Sequence, residues 1–478
     1  MTSVPEPQLA TDRRLTVVSL VVLLGLITTV LDTTIVNIAL DNLHSTFHAS
    51  VADTQWVVTG YLLAYVAVIP VSGWASERFG ARRVWMFAVA VFMIGSLLCG
   101  LSWSLPALIG FRVLQGIGGG MVLPVSLTIL TRAAGKERIG GAIATIGFIG
   151  QLAPILGPII GGSLIPTVGW HWLFFVNVPI CLAALALAPA FLPRGERDRA
   201  RSIDLLGFVL LTPGVIAVAF GASQAAGKDG FASLDVWLPL AIGVALIAGF
   251  VLHSLRAHEH ALIDVRVFAR RSFGLSSVII FAGAFSLYAI MFLLPLFYQE
   301  VRGDSVFATG FLLIPQGLGA MCFILLNRRF GTRVDARLVI AAGVVLTMLG
   351  AVPFALSGLS GGDVLLLAAQ FAVGFGTTAI SLPVMTLAFA SLNHDETPRG
   401  SAAFSVVQRV GAPFGVTVIA VLLQRYLTGA TSPQDTLVAF GTTFWWLFAL
   451  AVIPGVLALF LPRAQRAVSV PEQPALVD

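Results

Sequence analysis

Residues 15–40, LTVVSLVVLLGLITTVLDTTIVNIAL, contain a single charged side chain, that of Asp32. At ~1.5 Å per residue the run reaches ~39 Å as a helix, more than the ~30 Å of a bilayer's hydrocarbon core. It reads as a membrane span that has to accommodate a carboxylate. The run follows Arg13 and Arg14 as a signal peptide would, but it is too long for a signal's apolar region and carries Asp32 and Asn37. It is therefore expected to stay in the protein.

Cutting the rest of the chain at charged and Pro-, Gly- or Asn-rich breaks gives fourteen such spans: 15–40, 53–75, 84–101, 105–131, 139–165, 171–192, 204–224, 235–255, 273–299, 306–326, 337–358, 363–391, 400–424 and 440–461. Composition agrees. Of 478 residues 57% are apolar and 11% charged, less than half the ~25% charge of a soluble domain. With a mean hydropathy of +0.94, the chain cannot clothe a large water-facing surface, which excludes a soluble enzyme or nucleic-acid binder. The net charge of +5 comes from short basic runs between spans and forms no patch for nucleic acid.

Those runs set an orientation. Twenty-three basic residues fall in one set of alternate loops and three, Lys228, Arg302 and Arg425, in the other. Basic loops stay in the cytoplasm, so both termini are expected there, in an integral plasma membrane protein. Trp56, Trp103, Trp170, Trp172, Trp237, Trp445 and Trp446 fall near outer span ends and Trp74 and Trp85 near inner ones, as interfacial belts. Cys99, Cys181 and Cys322 lie in apolar stretches and read as small buried thiols rather than a disulfide or metal site.

Two basic residues, Arg112 and Arg409, lie inside spans, and Asp32 is the one acid deep within a span. An ion at mid-bilayer costs at least ~2.5–3.5 kcal/mol, so each needs a partner, water or a function. Counting from the outer ends puts Asp32 at ~12 Å and Arg112 at ~10 Å depth. If spans 1 and 4 adjoin, the two can pair. A carboxylate held by a guanidinium responds when that guanidinium moves or a ligand arrives, which is how a proton can be coupled to transport. The alternative is a static pair that only fixes packing. The runs GIGGG (116–120) and GPIIGG (157–162) allow close helix approach, and Pro154 and Pro158 are expected to bend span 5.

Several of these stretches resemble the major facilitator superfamily, and within it the fourteen-helix drug:proton antiporters. LDTTIVNIAL (31–40) is similar to the group's first-span signature, whose coupling acid would be Asp32. FRVLQGIGGG (111–120) is similar to the fourth-span motif, whose arginine would be Arg112. GWASERFGARR (73–83) resembles the gating loop, with Gly73, Glu77, Arg78, Gly80, Arg82 and Arg83; GPIIGG resembles the antiporter motif, with Gly157, Pro158, Gly161 and Gly162. WHWLFFVNVP (170–179), LIDVRVFARRSF (262–273) and LPLFYQEVRG (294–303) resemble stretches of the fourteen-helix group. The chain departs from the pattern at Glu77, usually Asp, at Ala81, usually basic, and at Asp41, often Pro.

The resemblance implies an all-α membrane fold of fourteen helices: a tail 1–14, a six-helix bundle 15–192, a linker with inserted helices 7 and 8 over 193–262, a second bundle 263–462 and a tail 463–478. It implies export of lipophilic or cationic compounds by alternating access, with protons as coupling ion and no other cofactor or obligate protein partner. Its cavity candidates are Asn37, Gln55, Tyr61, Gln115, Gln151, Phe285, Tyr288, Met291, Phe292, Gln316 and Phe371, with Arg409 either a second coupling group or a packing contact. A dedicated exporter of one endogenous metabolite, antibiotic, siderophore or lipid would use the same machinery. A membrane-embedded enzyme finds little support, because His258, Glu259 and His260 lack zinc-protease spacing and no phosphate loop is present.

Overall fold

A computed structural model describes residues 6–49, 51–194, 203–224, 233–257, 261–330, 334–356, 363–393, 395–428 and 432–462. Among the site candidates, the side chains at 37, 55, 151, 158 and 162 (Asn37, Gln55, Gln151, Pro158 and Gly162) lie outside those described, as do the side chains of Arg13 and Arg14, the tail 463–478, Lys228, and the cluster His258–His260. The described elements are helical. The first half comprises α1 (Glu6–Phe47), α2 (Val51–Phe79), α3 (Ala81–Gly100), α4 (Leu105–Val168), α5 (Trp172–Phe175) and α6 (Asn177–Phe191). A hairpin of α7 (Leu205–Gln224) and α8 (Leu234–Ala257) follows. The second half comprises α9 (Arg271–Leu296), which continues as a π-helical turn (Phe297–Val301), then α10 (Val306–Leu312), α11 (Ile314–Phe330), α12 (Ala336–Ala355), α13 (Asp363–Ala390), α14 (Thr397–Leu427), α15 (Pro433–Leu450) and α16 (Val452–Ala458).

Thirteen segments among the described residues are long and apolar enough to cross a membrane. The stretch 139–165 is not one of them, and it belongs to α4. The loop expected between spans 4 and 5 is absent, because 132–138 (RAAGKER) offers one glycine and otherwise good helix formers, and the backbone stays helical for 64 residues. Straight, such a helix would measure ~96 Å. Yet Leu105 and Leu108 near its start share an apolar cluster with Leu164 and Ile165 near its end. The helix therefore bends back, and its two ends lie at the same end of the molecule.

Three apolar clusters organise the molecule. The largest lies toward the end that carries the arginine-rich loops, the basic end, and is shared by both halves, reaching from Trp85 and Phe92 to Phe273, Phe389 and Phe404. At the opposite end each half has its own: Leu31, Ile35, Trp170 and Phe174 in the first, Phe297, Phe354, Phe440 and Phe444 in the second. The halves thus share a core at one end and are separately packed at the other. The hairpin packs onto this seam: Thr212 on α7 donates to the Ala67 carbonyl of α2 at 3.1 Å, and Thr417 on α14 donates to the Ala222 carbonyl of α7 at 2.7 Å.

Some belt and burial expectations are corrected. Trp85 is wholly buried and donates to Ser126 Oγ at 3.0 Å, and Trp170 is buried against His171, whereas Trp103, Trp172 and Trp237 are exposed as expected. Cys322 is exposed, beside exposed Leu318, Leu325 and Leu326. In a bilayer apolar side chains face lipid as readily as protein, so apolarity alone does not predict burial within the chain.

The first arm of α4 is held at backbone contact on both sides. A methyl at Gly116 or Gly120 would overlap the carbonyl oxygens of Tyr61 and Tyr65 on α2, and one at Gly118 would overlap the Phe92 backbone on α3. Replacing an open helical glycine by alanine stabilises by ~0.5–1 kcal/mol, whereas forcing a methylene into a packed contact costs ~1–3 kcal/mol. Gly120→Ala is therefore expected to lower the thermal unfolding midpoint in detergent by several degrees. Gly110→Ala, with nothing within 4 Å of the added carbon, should leave it unchanged or slightly higher.

Candidate functional site

Asp32 and Arg112 meet inside the first half, each about 1% exposed. Arg112 Nη1 donates to Asp32 Oδ2 at 2.6 Å and to Gln115 Oε1 at 2.7 Å, and its Nε donates to the Val57 carbonyl at 3.1 Å. Gln115 is one helical turn from Arg112, which puts both on the same face of α4. Its amide donates to Asp32 Oδ1 at 2.9 Å. One glutamine therefore touches both ends of the ion pair.

A second ring closes the site. Gln115 Nε2 also donates to Ser96 Oγ at 3.2 Å; Ser96 receives Asn177 Nδ2 at 3.0 Å and donates to the Phe174 carbonyl at 2.9 Å. Gly95 makes this possible, since a methyl there would stand 2.7 Å from the Gln115 backbone. The guanidinium lies 4.1 Å above the Tyr61 ring and 5.7 Å from Phe174. Five helices and the Trp172–Phe175 turn thus wrap one ion pair, in a setting where the charges attract far more strongly than in water.

This changes two assignments. Gln115 and Tyr61, expected on a cavity wall, are fully buried against the ion pair. Composition could not separate the two roles, because a polar residue in a span suits either. Ser96 and Asn177 were missed; the signal available for Asn177 was an amide inside the otherwise apolar WHWLFFVNVP. Phe285, Tyr288, Met291 and Phe292 lie on α9, partly buried, and Gln316 is partly buried on α11. Phe371 is exposed beside Phe375. Gly157 and Gly161 are buried in the second arm of α4.

A seam joins α2 and α14. Near the basic end Arg399 Nε donates to Glu77 Oε1 at 2.8 Å, with Gly73 packed against the Pro398 and Arg399 backbones. At mid-helix Arg409 Nη2 donates to the Tyr65 hydroxyl at 2.7 Å and the guanidinium stands 4.3 Å over that ring. The partners run in opposite senses along the two helices, as in an antiparallel pair. Gly80, at φ 87°, is the only residue between α2 and α3, a conformation that favours glycine. Arg82 donates to the Pro189 carbonyl at 3.0 Å, tying this turn to α6, while Arg78 is half-buried and Arg83 exposed. In the second half Arg270 makes a bidentate pair with Glu396 at 2.8 and 2.7 Å. Arg302 pairs with Asp363, whose hydrogen bond and charge raise the guanidinium's pKa above its ordinary value.

Comparison with known proteins fits this geometry. A family model described as Major Facilitator Superfamily matches residues 22–416. The chain belongs to the major facilitator superfamily. It is 38% identical over 394 residues to "Multidrug resistance protein B homolog" of Mycobacterium tuberculosis (strain CDC 1551 / Oshkosh), covering 82% of this chain and 73% of that protein. It is 30% identical over 442 residues to "Putative multidrug resistance protein MdtD" of Escherichia coli O9:H4 (strain HS), covering 91% of each. The solved proton:xylose symporter XylE of E. coli superposes with a TM-score of 0.67 at 14% identity, over 95% of this chain and 98% of that one, a likeness of fold. It is thus an integral membrane protein of a transporter superfamily.

The Glu77–Arg399 bridge ties the two halves together at the basic end. Its side chains are only 9% and 16% exposed, so it sits near the upper end of the range for partly exposed pairs, about 1 kcal/mol. That corresponds to a ~5-fold change in a two-state population. With spin labels at the exposed positions Arg83 and Asp395, Glu77→Gln or Arg399→Gln should each raise the long-distance population by about that factor. The double swap Glu77→Arg with Arg399→Glu should bring it back toward the parent.

Proposed function

We propose that the chain is a proton-coupled antiporter that exports lipophilic small molecules by alternating access, with fourteen membrane crossings and both termini in the cytoplasm. The fourteenth crossing is the second arm of α4, over 139–165, and the basic end is the cytoplasmic one. The observation that carries the reading is Asp32, a carboxylate about 1% exposed, held by Arg112 and Gln115.

Protonating Asp32 removes the charge opposite Arg112. The guanidinium then still has the Gln115 and Val57 oxygens as acceptors and the Tyr61 ring beneath it. These neutral acceptors and the ring face offset part of the cost of a buried cation without its counter-charge, so protonation unsettles the pair and favours a rearrangement around Arg112. Each proton entering yields ~1.4 kcal/mol per pH unit and ~2.3 kcal/mol per 100 mV. Export against a tenfold gradient costs ~1.4 kcal/mol, so one proton suffices. The shared apolar core and the Glu77–Arg399 latch at the basic end support a conformation closed to the cytoplasm.

The test uses proteoliposomes, acid-loaded, with a pH-sensitive dye in the lumen and a panel of lipophilic cations, neutral compounds and acids. The parent should show substrate-evoked proton efflux, and Asp32→Asn should reduce it to less than a tenth while retaining its fold. Transport of panel compounds by the parent with no proton movement would overturn the coupling.

A further inference from the structure

Within the spans, Asp32 and Arg112 cancel one another, and the charge left over is that of Arg409. It lies 12 residues into α14, ~18 Å from the basic end and deep in the hydrocarbon region. Among the described residues no carboxylate is within salt-bridge distance of it. The ionisable groups that interact with it are three tyrosines, Tyr65, Tyr288 and Tyr61. A mid-membrane cation is costly unless paired, and a neutral hydroxyl at 2.7 Å with a ring face at 4.3 Å offsets that cost only in part.

The contact also crosses the seam. Arg409 belongs to the second half and Tyr65 to the first, so separation of the halves strips the guanidinium of its acceptor and turns it toward the space that opens. Tyr288 on α9 flanks it from its own half and also interacts with Tyr65. A guanidinium over one phenol ring, with a second phenol within electrostatic reach and no carboxylate within salt-bridge distance among the described residues, disfavours a cationic ligand and favours an aromatic or apolar body that carries one anionic group.

We propose that Arg409, with Tyr65 and Tyr288, is an anion-binding subsite, and that the exported compounds are lipophilic organic acids taken in their ionised form. The inference rests on the transport reading above and replaces its lipophilic-cation expectation. An anionic phospholipid does not fit, since its headgroup stays at the interface, ~18 Å from this guanidinium. Expelling an anion from a negative cell interior is itself favoured by ~2.3 kcal/mol per 100 mV, in the same direction as proton entry.

Equilibrium binding, with no gradient, separates this from coupling. Three probes with one aromatic body are used at pH 7.5 on the purified full chain in a neutral detergent: 1-pyrenebutyrate, 1-pyrenebutanol and 1-pyrenebutyltrimethylammonium, read by tryptophan-to-pyrene energy transfer. The parent should bind the carboxylate at least ~10-fold more tightly than the alcohol and the cation least (tenfold is ~1.4 kcal/mol). Arg409→Gln should abolish the preference while leaving the alcohol within ~3-fold, and Arg409→Lys should keep part of it. Tyr65→Phe, which frees the guanidinium from its acceptor, should tighten the carboxylate alone by ~2–5-fold, a gain that misfolding does not produce. Equal binding of all three probes by the parent, or equal weakening of all three by Arg409→Gln, would overturn the proposal. If the preference holds and no proton moves in vesicles, the antiport reading fails and the anion site stands.

Discussion

The ion pair between Asp32 and Arg112 is the constraint around which the first half is built. In a low-dielectric interior neither charge can be left alone, and neither can be held by packing only. Each lone pair and N–H near the pair has to find a partner within a space that also excludes water. Gln115 does this at both ends, and it can reach because α3 lies against its backbone at Gly95. The glycines at 116, 118 and 120 serve the same end, drawing α2 and α3 onto α4 so closely that Val57, Tyr61 and Ser96 all stand around one guanidinium or its glutamine. Removing side chains from α4 is what gives its arginine a complete set of neighbours.

How much of this was legible in the sequence follows from what hydropathy and charge report. The spans were legible because most lipid-facing and core-facing positions in a span are apolar, and the depth of Asp32 and Arg112 followed from counting along helices. What faces what was not. Trp85 and Cys322 were misplaced because a one-dimensional pattern does not distinguish lipid from protein as the apolar neighbour. Continuity through 132–138 was missed because a basic stretch was read as a loop, although its residues favour helix. Gln115 and Tyr61 were recognised as unusual but assigned to a cavity, since only packing decides whether a polar side chain in a span looks into a space or into another side chain. Arg399 was counted as one more basic residue at the inner surface, and its partner Glu77 lies 322 residues away.

The two halves are joined by contacts of different character at different heights. Near the basic end the seam has a partly buried ion pair, readily hydrated when it opens, and a broad apolar cluster that is costly to expose to water. Farther along there is Arg409 on Tyr65, a cation resting on a neutral acceptor. The α7–α8 hairpin lies against the same seam, with one hydroxyl bond to each side. A hydroxyl donating to a helix carbonyl exchanges with water or with its own helix at little cost, so α7 can follow either half without holding them together.

The arrangement of α2 links these features. Tyr61 lies under Arg112 and Tyr65 under Arg409, one helical turn apart, with ring centroids 5.8 Å from each other. Arg112, buried in the first half, and Arg409, partly buried in the second, therefore rest on consecutive turns of one helix. A helix turn is too stiff for the rings to be repositioned independently by backbone motion. Any rotation or shift of α2 that follows loss of the Arg409 contact must also move the ring beneath Arg112, and with it the balance between that guanidinium's attraction to Asp32 and to its neutral acceptors. The Arg409 contact of the second half and the Asp32–Arg112 pair of the first are thus connected through a single element, over a distance of two side chains.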